Sequence, residues 1–214
     1  GNTKILAYLS FCKNTNNYPP PLHQTKPIMS LPIRIETITL GDELLLGIRE
    51  NAHLSYLGIQ LAHHGIEPSA NLVVRDQADE IKTFFSESWK RSDLVITTGG
   101  LGPTSDDLTR ETIAEILDEE LVFDPSIEHA LRERFSNLGR AMSELNLRQC
   151  YRPKGAEVLA NPYGTAPGLL IQKEGKMLIM LPGPAREMHP MFEKVVIPRL
   201  QAEGLLPEID CYLQ

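Results

Sequence analysis

A buried-strand pattern that leads directly into a glycine-rich loop is the feature that most constrains this fold. Residues Leu94–Thr98 are all apolar or β-branched, which is typical of a parallel strand covered on both faces. Three glycines follow this run: Gly99, Gly100 and Gly102. Glycine lets the backbone approach a ligand closely, and the next helix presents free N–H groups. The sequence of buried strand, glycine-rich loop and helix therefore predicts an anion-binding loop.

Strand and helix patterns alternate along the chain. Strands are predicted at Pro32–Leu40, Leu72–Val74, Leu94–Thr98, Glu157–Leu159, Gly168–Gln172 and Met177–Leu181. Helices are predicted through Leu54, Leu57 and Leu61 up to Gly65, through Ile81, Phe84, Phe85 and Trp89 on one face, and at Thr109–Leu117, Pro125–Leu138, Met142–Gln149 and Pro184–Leu200, with a kink at Pro190. This alternation predicts βαβ units and a mainly parallel sheet.

In sheets of this kind a ligand lies beyond the carboxyl ends of the strands, where the strand order switches. The loops that follow Leu40, Val74, Thr98 and Leu181 are therefore the candidate site.

Composition argues against several classes of function. The 214 residues carry a net charge of -7 without a run of Lys or Arg, which disfavours nucleic-acid binding. No apolar run approaches the ~20 residues of a membrane span. The cysteines Cys12, Cys150 and Cys211 are odd in number and have no C-x-x-C spacing, so a disulfide framework or zinc site is not expected. We predict a cytoplasmic protein with no nucleic-acid or membrane partner.

The two ends of the chain differ in pattern from the rest. Residues 1–30 contain four prolines and no hydrophobic period, so we expect an irregular, disordered leader. The folded domain is expected over residues 31–200. Residues 201–214 end in an alternating pattern, which we interpret as the start of a following segment that is cut short.

Acidic residues follow three of the predicted strands. Asp106 and Asp107 lie in the loop after Leu94–Thr98, Glu43 follows the first strand, and Asp76 follows the second. A carboxylate beside bound phosphate is repulsive unless a cation bridges them, or unless the acid is a base or a metal ligand, so the adjacent pair Asp106 and Asp107 indicates chemistry at this loop. The alternatives are structural: Thr104 or Asp106 as the N-cap of the next helix, Asp76 as the N-cap of its own, and a solvated turn at Gly41–Gly47.

Two further loops carry candidate ligand contacts. Asn161–Gly168 is a loop by composition, and its Thr165 hydroxyl can donate to a phosphate. Leu181–Pro184 ends a strand and opens a helix, where Glu187 is either polar lining or an acid favoured by the helix dipole. The chain lacks a Walker A lysine, and its six histidines show no metal-ligand spacing.

Four motifs together resemble the N-terminal domain of CinA-type competence/damage-inducible proteins. They are G-D-E-L-L-L-G (41–47), T-T-G-G-L-G-P-T-S-D-D-L-T (97–109), N-P-Y-G-T-A-P-G (161–168) and L-P-G-P-A-R-E-M-H-P-M-F (181–192). That domain is similar to the MogA and MoaB proteins of molybdenum-cofactor assembly. The resemblance covers Pro32 to Leu200 and implies an α/β three-layer sandwich with a mostly parallel sheet.

The resemblance also implies an activity and the residues that perform it. CinA-type N-terminal domains are associated with hydrolysis of ADP-ribose at its pyrophosphate, dependent on a divalent metal (Mg²⁺, Mn²⁺ or Co²⁺) and on potassium. In MogA-like relatives, an acid after the second strand and another in the glycine loop support nucleotide and pterin chemistry, and these positions fall on Asp76 and Asp107. Many relatives have Thr at Asp42, so Glu43 is the stronger candidate. The segment after Leu200 is too short for the nicotinamide-nucleotide amidase domain of longer relatives, and that activity is not expected.

We therefore predict a nucleotide pyrophosphatase whose catalytic residues are Asp76, Asp107 and Glu43, with Asp76 and Asp107 as metal ligands. The predicted ligand-binding residues are Gly99, Gly100, Gly102, Thr104, Asp106, Gly164, Thr165, Pro182 and Gly183. The expected partner is a small phosphorylated ligand (ADP-ribose, a nucleotide or a pterin), and the expected assembly is a homo-oligomer, either a dimer or a trimer. Two alternatives stay open: a molybdopterin-binding or adenylylating domain, and a non-catalytic nucleotide-sensing domain of a longer CinA protein.

Overall fold

A computed structural model describes residues 33–206, whose strands and helices alternate as the patterns predict. The strands are β1 (Ile35–Leu40), β2 (Ala70–Val74), β3 (Leu94–Thr98), β4 (Leu121–Phe123), β5 (Tyr151–Pro153), β6 (Glu157–Leu159), β7 (Gly168–Lys173) and β8 (Lys176–Leu181). The helices are α1 (Asp42–Leu45), α2 (Ala52–His63), α3 (Ala78–Arg91), α4 (Thr109–Ile116), α5 (Pro125–Asn137), a 3₁₀ helix (Glu144–Cys150), α6 (Ala185–Met191), a π-helical turn (Phe192–Val196) and α7 (Ile197–Ala202).

Six of the strands form one sheet in the order β2-β1-β3-β8-β7-β6. The first four are mutually parallel, whereas β7 and β6 continue the sheet in antiparallel pairs. The mostly parallel sheet is therefore confirmed. Because β1, β2, β3 and β8 run the same way, their carboxyl ends lie at one edge of the sheet, which we call the carboxyl edge.

Helices cover both faces of the sheet. On one face Leu57 and Leu61 of α2 pack in a buried cluster with Met188 and Phe192. On the other face the second buried cluster brings together the apolar stripes of α3 and α4, including Ile81, Phe85 and Ile113. These two clusters confirm the expected three-layer α/β sandwich.

The predicted helix at Pro184–Leu200 is divided into three parts. Pro190 has no N–H and lies inside α6, so the regular hydrogen-bond ladder cannot continue through it. The chain then makes the π-helical turn before α7 begins. The helix expected at Met142–Gln149 is a 3₁₀ helix that starts after Ser143, whose capping box with Asn146 fixes its first turn.

Two side chains expected to face the core are exposed. Phe84 is 37% exposed, because Ile81, Phe85 and Trp89, spaced four residues apart, make the buried stripe of α3. Leu54 is 45% exposed near the start of α2. The short elements α1, β4 and β5 were not predicted from the pattern.

Several expectations concern the ends of the chain. The leader at residues 1–30 and residues 207–214 lie outside the described residues. Packing continues beyond Leu200, since α7 extends to Ala202 and Leu206 is 3% exposed in the core. Within residues 33–206, no helix combines the length and apolar character needed to cross a membrane.

Candidate functional site

Asp76 and four other acidic residues gather at the carboxyl edge. Asp76 is half-buried, and its Oδ1 is buried without a hydrogen-bond partner among the described residues. Burial, followed by the charges of Asp42, Glu43, Asp107 and Asp106, raises the pKa of Asp76 to about 6. Acids that follow three separate strands therefore act on one another at this edge.

The N-cap alternatives for Asp76, Thr104 and Asp106 are not observed. Helix α3 has Gln77 as its N-cap, with no side-chain capping bond, so Asp76 does not cap it. Helix α4 has Leu108 as its N-cap, again without a side-chain bond, so neither Thr104 nor Asp106 caps that helix. The interpretation of these residues as N-caps is wrong.

The glycine loop, defined as Gly99–Asp107, begins where β1 and β3 adjoin. Gly99 has φ 102°, and a Cβ there would lie 2.8 Å from the Leu40 carbonyl oxygen. Gly100 has φ 65°, and its Cβ would overlap the Thr109 hydroxyl. The chain leaves β1 to form β2 on one side and returns to form β3 on the other. The loop therefore starts at the switch in strand order, the expected position of a ligand site.

Asp107 shapes the glycine loop with its carboxylate. Its Oδ2 accepts hydrogen bonds from the Thr104 N–H at 2.9 Å and the Thr104 hydroxyl at 2.5 Å. The carboxylate lies against Gly102, where it would overlap a Cβ. The predicted phosphate-binding groups of Thr104 are thus engaged by Asp107 in this structure.

Arg148 contacts this loop from the 3₁₀ helix and was not recognised from the sequence. Its guanidinium donates to the carbonyl oxygen of Thr104 and, at 3.2 Å, to that of Asp107. It also pairs with Glu111 Oε1 at 3.1 Å. An isolated arginine far along the chain has no pattern that would reveal these contacts.

The end of β8 completes this side of the carboxyl edge. Pro182 is buried, and a Cβ on Gly183 would lie 3.4 Å from the Gly99 Cα, so the two glycine turns touch. Nearby, His53 Nδ1 lies 2.9 Å from the Thr98 hydroxyl oxygen. Burial, and then the charge of His189, lowers the pKa of His53, although a hydrogen bond to the Gly183 backbone opposes this. The sequence does not reveal His53, because its contact joins residues 45 positions apart in the chain.

Gly164 and Thr165 lie in a different place from the glycine loop. They line a cleft of about 550 Å³ beside α5, and the glycine loop is not among its walls. Ile127, Leu131 and Val158 contribute apolar parts of its lining. The predicted site residues therefore occupy two neighbouring regions, one at the carboxyl edge and one in this cleft.

A polar framework holds the Asn161–Gly168 loop. Asn161 Oδ1 accepts from the Gly164 N–H at 2.9 Å, and its Nδ2 donates to Glu187 Oε2 at 2.9 Å. Glu187 is 7% exposed, and its carboxylate would overlap a Cβ on Gly164. The Thr165 hydroxyl accepts from Gln149 Nε2 at 3.2 Å. Glu187 is thus polar lining of the fold behind the loop.

Residues 36–202 match the model of a family described as a probable molybdopterin binding domain. The chain belongs to this family.

Proteins of the CinA group are among the relatives to which the chain is similar. A CinA-like protein from Kosmotoga olearia is 48% identical over 168 residues, which cover 78% of this chain and 41% of that protein. The chain therefore spans about two fifths of the length of this curated relative. The CinA crystal structure from Thermoplasma acidophilum, titled as a protein of unknown function, has 32% identity and a TM-score of 0.71, covering 80% of this chain and 97% of that one.

The fold extends to molybdopterin biosynthesis proteins. MoaB from Thermus thermophilus superposes with a TM-score of 0.53 at 22% identity, covering 81% of this chain and 95% of that one. This likeness concerns the fold alone. Together with the CinA relatives it confirms the resemblance to a CinA-type MoaB/Mog-like domain.

The acids of the carboxyl edge provide oxygen ligands but do not form a complete metal-binding cluster. Within residues 33–206, no group of three or more His, Cys, Asp or Glu side chains is arranged to hold an ion. Asp76 and Asp107 carry the carboxylate oxygens that a hard divalent cation prefers, and such a cation often keeps several waters as its other ligands. The buried Asp76 Oδ1 without a hydrogen-bond partner is the observation that favours this fit.

Proposed function

We propose that the domain hydrolyses the pyrophosphate of ADP-ribose or a related nucleotide with a divalent cation held by Asp76 and Asp107. The observation that carries the proposal is the buried Asp76 Oδ1, which has no hydrogen-bond partner within residues 33–206 and whose carboxyl group lies near four other acids. A buried acid in acidic company costs free energy unless a proton or a cation compensates it. The adjoining glycine loop would bind the phosphates of the ligand, whose negative charge such a cation would offset.

Each residue of the carboxyl edge has a proposed role. Backbone N–H groups of Gly100 and Gly102 bind the phosphates, and a side chain at either position would overlap Thr109 or Asp107. The Gly99 N–H donates to the Leu181 carbonyl oxygen at 3.0 Å, so Gly99 contributes the close approach of the backbone and not a phosphate donor. The described hydrogen bonds of the Asp107 carboxylate go to Oδ2, which leaves Oδ1 for the cation.

The remaining steps concern charge and proton movement. When bound, a divalent cation would neutralise the diphosphate and lower the pKa of water. We assign proton acceptance to Glu43, a half-buried acid whose charge acts on Asp76 and which is not needed as a ligand.

Molybdopterin binding or adenylylation is the second candidate. It is favoured by the cleft of about 550 Å³, whose apolar walls and polar Gly164–Thr165 rim suit a flat heterocycle. Tight pterin binding with molybdopterin-dependent ATP consumption would support it over ADP-ribose hydrolysis.

The decisive experiment follows AMP release from ADP-ribose with and without Mg²⁺, Mn²⁺, Co²⁺ and potassium. Asp107→Ala is expected to abolish metal-dependent cleavage. Asp107→Asn separates two effects, since an amide oxygen can still accept the Thr104 hydrogen bonds but carries no charge. Asp79→Asn, an exposed acid of the first turn of α3, is the matched control and should retain activity.

Two outcomes would count against the hydrolase. Turnover at the wild-type rate in Asp107→Ala would reject the assignment of that residue. Saturable ADP-ribose binding without turnover under any metal would instead support a non-catalytic nucleotide-sensing domain.

A further inference from the structure

The 3₁₀ helix Glu144–Cys150 contacts both regions that carry predicted ligand-binding residues. Arg148 hydrogen-bonds the glycine loop, and the next residue, Gln149, donates to the Thr165 hydroxyl at 3.2 Å. Adjacent residues of one short element thus reach two loops that are far apart in sequence. This arrangement would fix the position of one loop relative to the other.

Arg148 orients the backbone of the glycine loop. Its guanidinium holds the carbonyl oxygens of Thr104 and Asp107. In a planar trans peptide the N–H of the following residue points opposite to the carbonyl. The N–H groups of Ser105 and Leu108 are therefore turned away from Arg148. Arginine can hold both carbonyls at once, because its five donors lie in a rigid fork.

The guanidinium is itself held in place. Glu111 Oε1 pairs with Arg148 at 3.1 Å and with Arg110, whose side chain is 3% exposed, at 2.6 Å. Glu111 lies on α4, the helix that follows the glycine loop. The arginine is thus anchored to the same loop–helix unit whose backbone it orients.

Gln149 is as firmly fixed as Arg148. It is 1% exposed, and its Oε1 accepts from Asn146 Nδ2 at 3.2 Å. Asn146 in turn accepts from the Ser143 hydroxyl at 2.8 Å in the capping box of the helix. The donor that reaches Thr165 is therefore held by a buried network, and such networks are rigid when fully satisfied.

We propose that Arg148 is a positioning residue that holds the glycine loop in its ligand-binding form, and that Gln149 couples it to the Asn161–Gly168 loop. The proposal rests on the proposed function and adds that one ligand spans both loops. Its diphosphate lies at the glycine loop, and its remaining part reaches Gly164 and Thr165.

The first test compares Arg148→Gln and Arg148→Lys with the wild type. We expect kcat for ADP-ribose to fall about 100-fold in Arg148→Gln, since a small misplacement of binding groups has effects of this size. KM should change less than kcat. Arg148→Lys should be intermediate, because a single ammonium cannot reproduce the fork. Arg132→Gln is the matched control, because Arg132 pairs on α5 with Glu128 at 2.7 Å and should leave kcat unchanged.

A second readout does not depend on activity. In Arg148→Gln, hydrogen exchange should accelerate about tenfold at the amides of Thr104 and Asp107, whose bonds close the loop. If wild-type protein fails to cleave ADP-ribose, the proposed function fails, whereas faster exchange would still support the positioning role. Unchanged exchange in a folded variant would overturn that role. If Arg148→Gln does not fold, Arg148→Lys serves for both readouts.

The coupling has its own test. Gln149→Met removes the donor to Thr165 with a side chain of similar size. We expect weaker binding of ADP-ribose, measured by calorimetry, and unchanged binding of inorganic pyrophosphate, which reaches the glycine loop alone. Equal losses for both ligands, or no loss for either, would overturn the coupling.

Discussion

Glu36, which is buried, and Asp76, which is half-buried, lie at opposite ends of the sheet and have contrasting surroundings. Glu36, near the amino end of β1, is 0% exposed and lies 2.7 Å from Arg91 and 3.0 Å from Arg34. Burial alone would raise its pKa, but hydrogen bonds from Arg91 and Arg34 outweigh this, so the pKa is lowered. Asp76, at the carboxyl edge, has a buried oxygen with no hydrogen-bond partner in the described part of the chain, and its pKa is raised to about 6.

The difference separates a structural acid from a functional one. Two arginines satisfy Glu36, and its charge is compensated within the fold. Asp76 has acids around it instead, and their negative charges destabilise its ionised form unless a cation or a proton is bound. A substitution at Asp76 should therefore reduce activity, whereas a substitution at Glu36 should reduce stability.

The largest effect is expected from Asp76→Asn. Metal-dependent cleavage of ADP-ribose should fall about 1000-fold, because a cation ligand is lost. Stability of the metal-free protein should stay the same or increase, since repulsion among the acids is relieved. Steady-state kinetics and thermal unfolding of this variant and of the Asp79→Asn control provide the check. Wild-type activity in Asp76→Asn would contradict the assignment of Asp76 to function and of Glu36 to structure.

Two glycine variants test whether the glycine loop requires a residue without a side chain at Gly100. Gly65 and Gly100 have φ of 73° and 65°, but a Cβ at Gly65 meets nothing within 4 Å, whereas one at Gly100 overlaps the Thr109 hydroxyl. Gly65→Ala should cost about 1 kcal/mol, and Gly100→Ala about 3 kcal/mol together with loss of ligand binding. Urea unfolding measures both. Equal costs would mean that the close approach to Thr109 is unimportant, and adding Thr109→Ala should relieve part of the difference.

A smaller effect is expected at the structural acid. Glu36→Gln should reduce the free energy of unfolding by about 2 kcal/mol, less than for a fully buried pair because Arg34 and Arg91 are 46% and 44% exposed. This corresponds to a fall in Tm of about 6 °C, measurable by calorimetry. Turnover should remain within about twofold of wild type. A loss of activity with unchanged Tm would contradict the assignment of Glu36 to structure.

The smallest effect is the dependence of stability on pH without divalent ions. Asp76 binds its proton more tightly when folded, so its contribution falls as pH rises from its ordinary value of 3.8 to about 6. Glu36 has the opposite sign, because its folded pKa is lowered, and its contribution is lost as pH falls below its ordinary 4.5. Thermal unfolding in EDTA from about pH 3 to about pH 8 covers both windows and should show the first trend disappear in Asp76→Asn. The second trend should disappear in Glu36→Gln, and the reverse assignment would contradict this account.

The sequence predicted those strands and helices whose own residues show a clear hydrophobic pattern. The continuous run Leu94–Thr98 is β3 with the predicted bounds, and the spacing of Ile81 and Phe85 identified α3. Pro190 marked an interruption, but the π-helical turn that follows depends on packing that no local pattern contains.

The candidate site was predictable where the strand ends converge. Acids after β1, β2 and β3 were expected to meet, because parallel strands share one edge. Arg148 and His53 were not predictable, since their contacts with the carboxyl edge join residues far apart in sequence. Nor did the sequence indicate that Gly164 would lie in a separate cleft, because that requires the position of α5.

The most direct test follows the Asp76 carboxyl carbon by ¹³C NMR during pH titrations with and without Mg²⁺. The account predicts a midpoint at about 6 without the ion and a lower midpoint when Mg²⁺ is present, because the cation competes with the proton. A midpoint near the ordinary 3.8 that Mg²⁺ does not shift would contradict it.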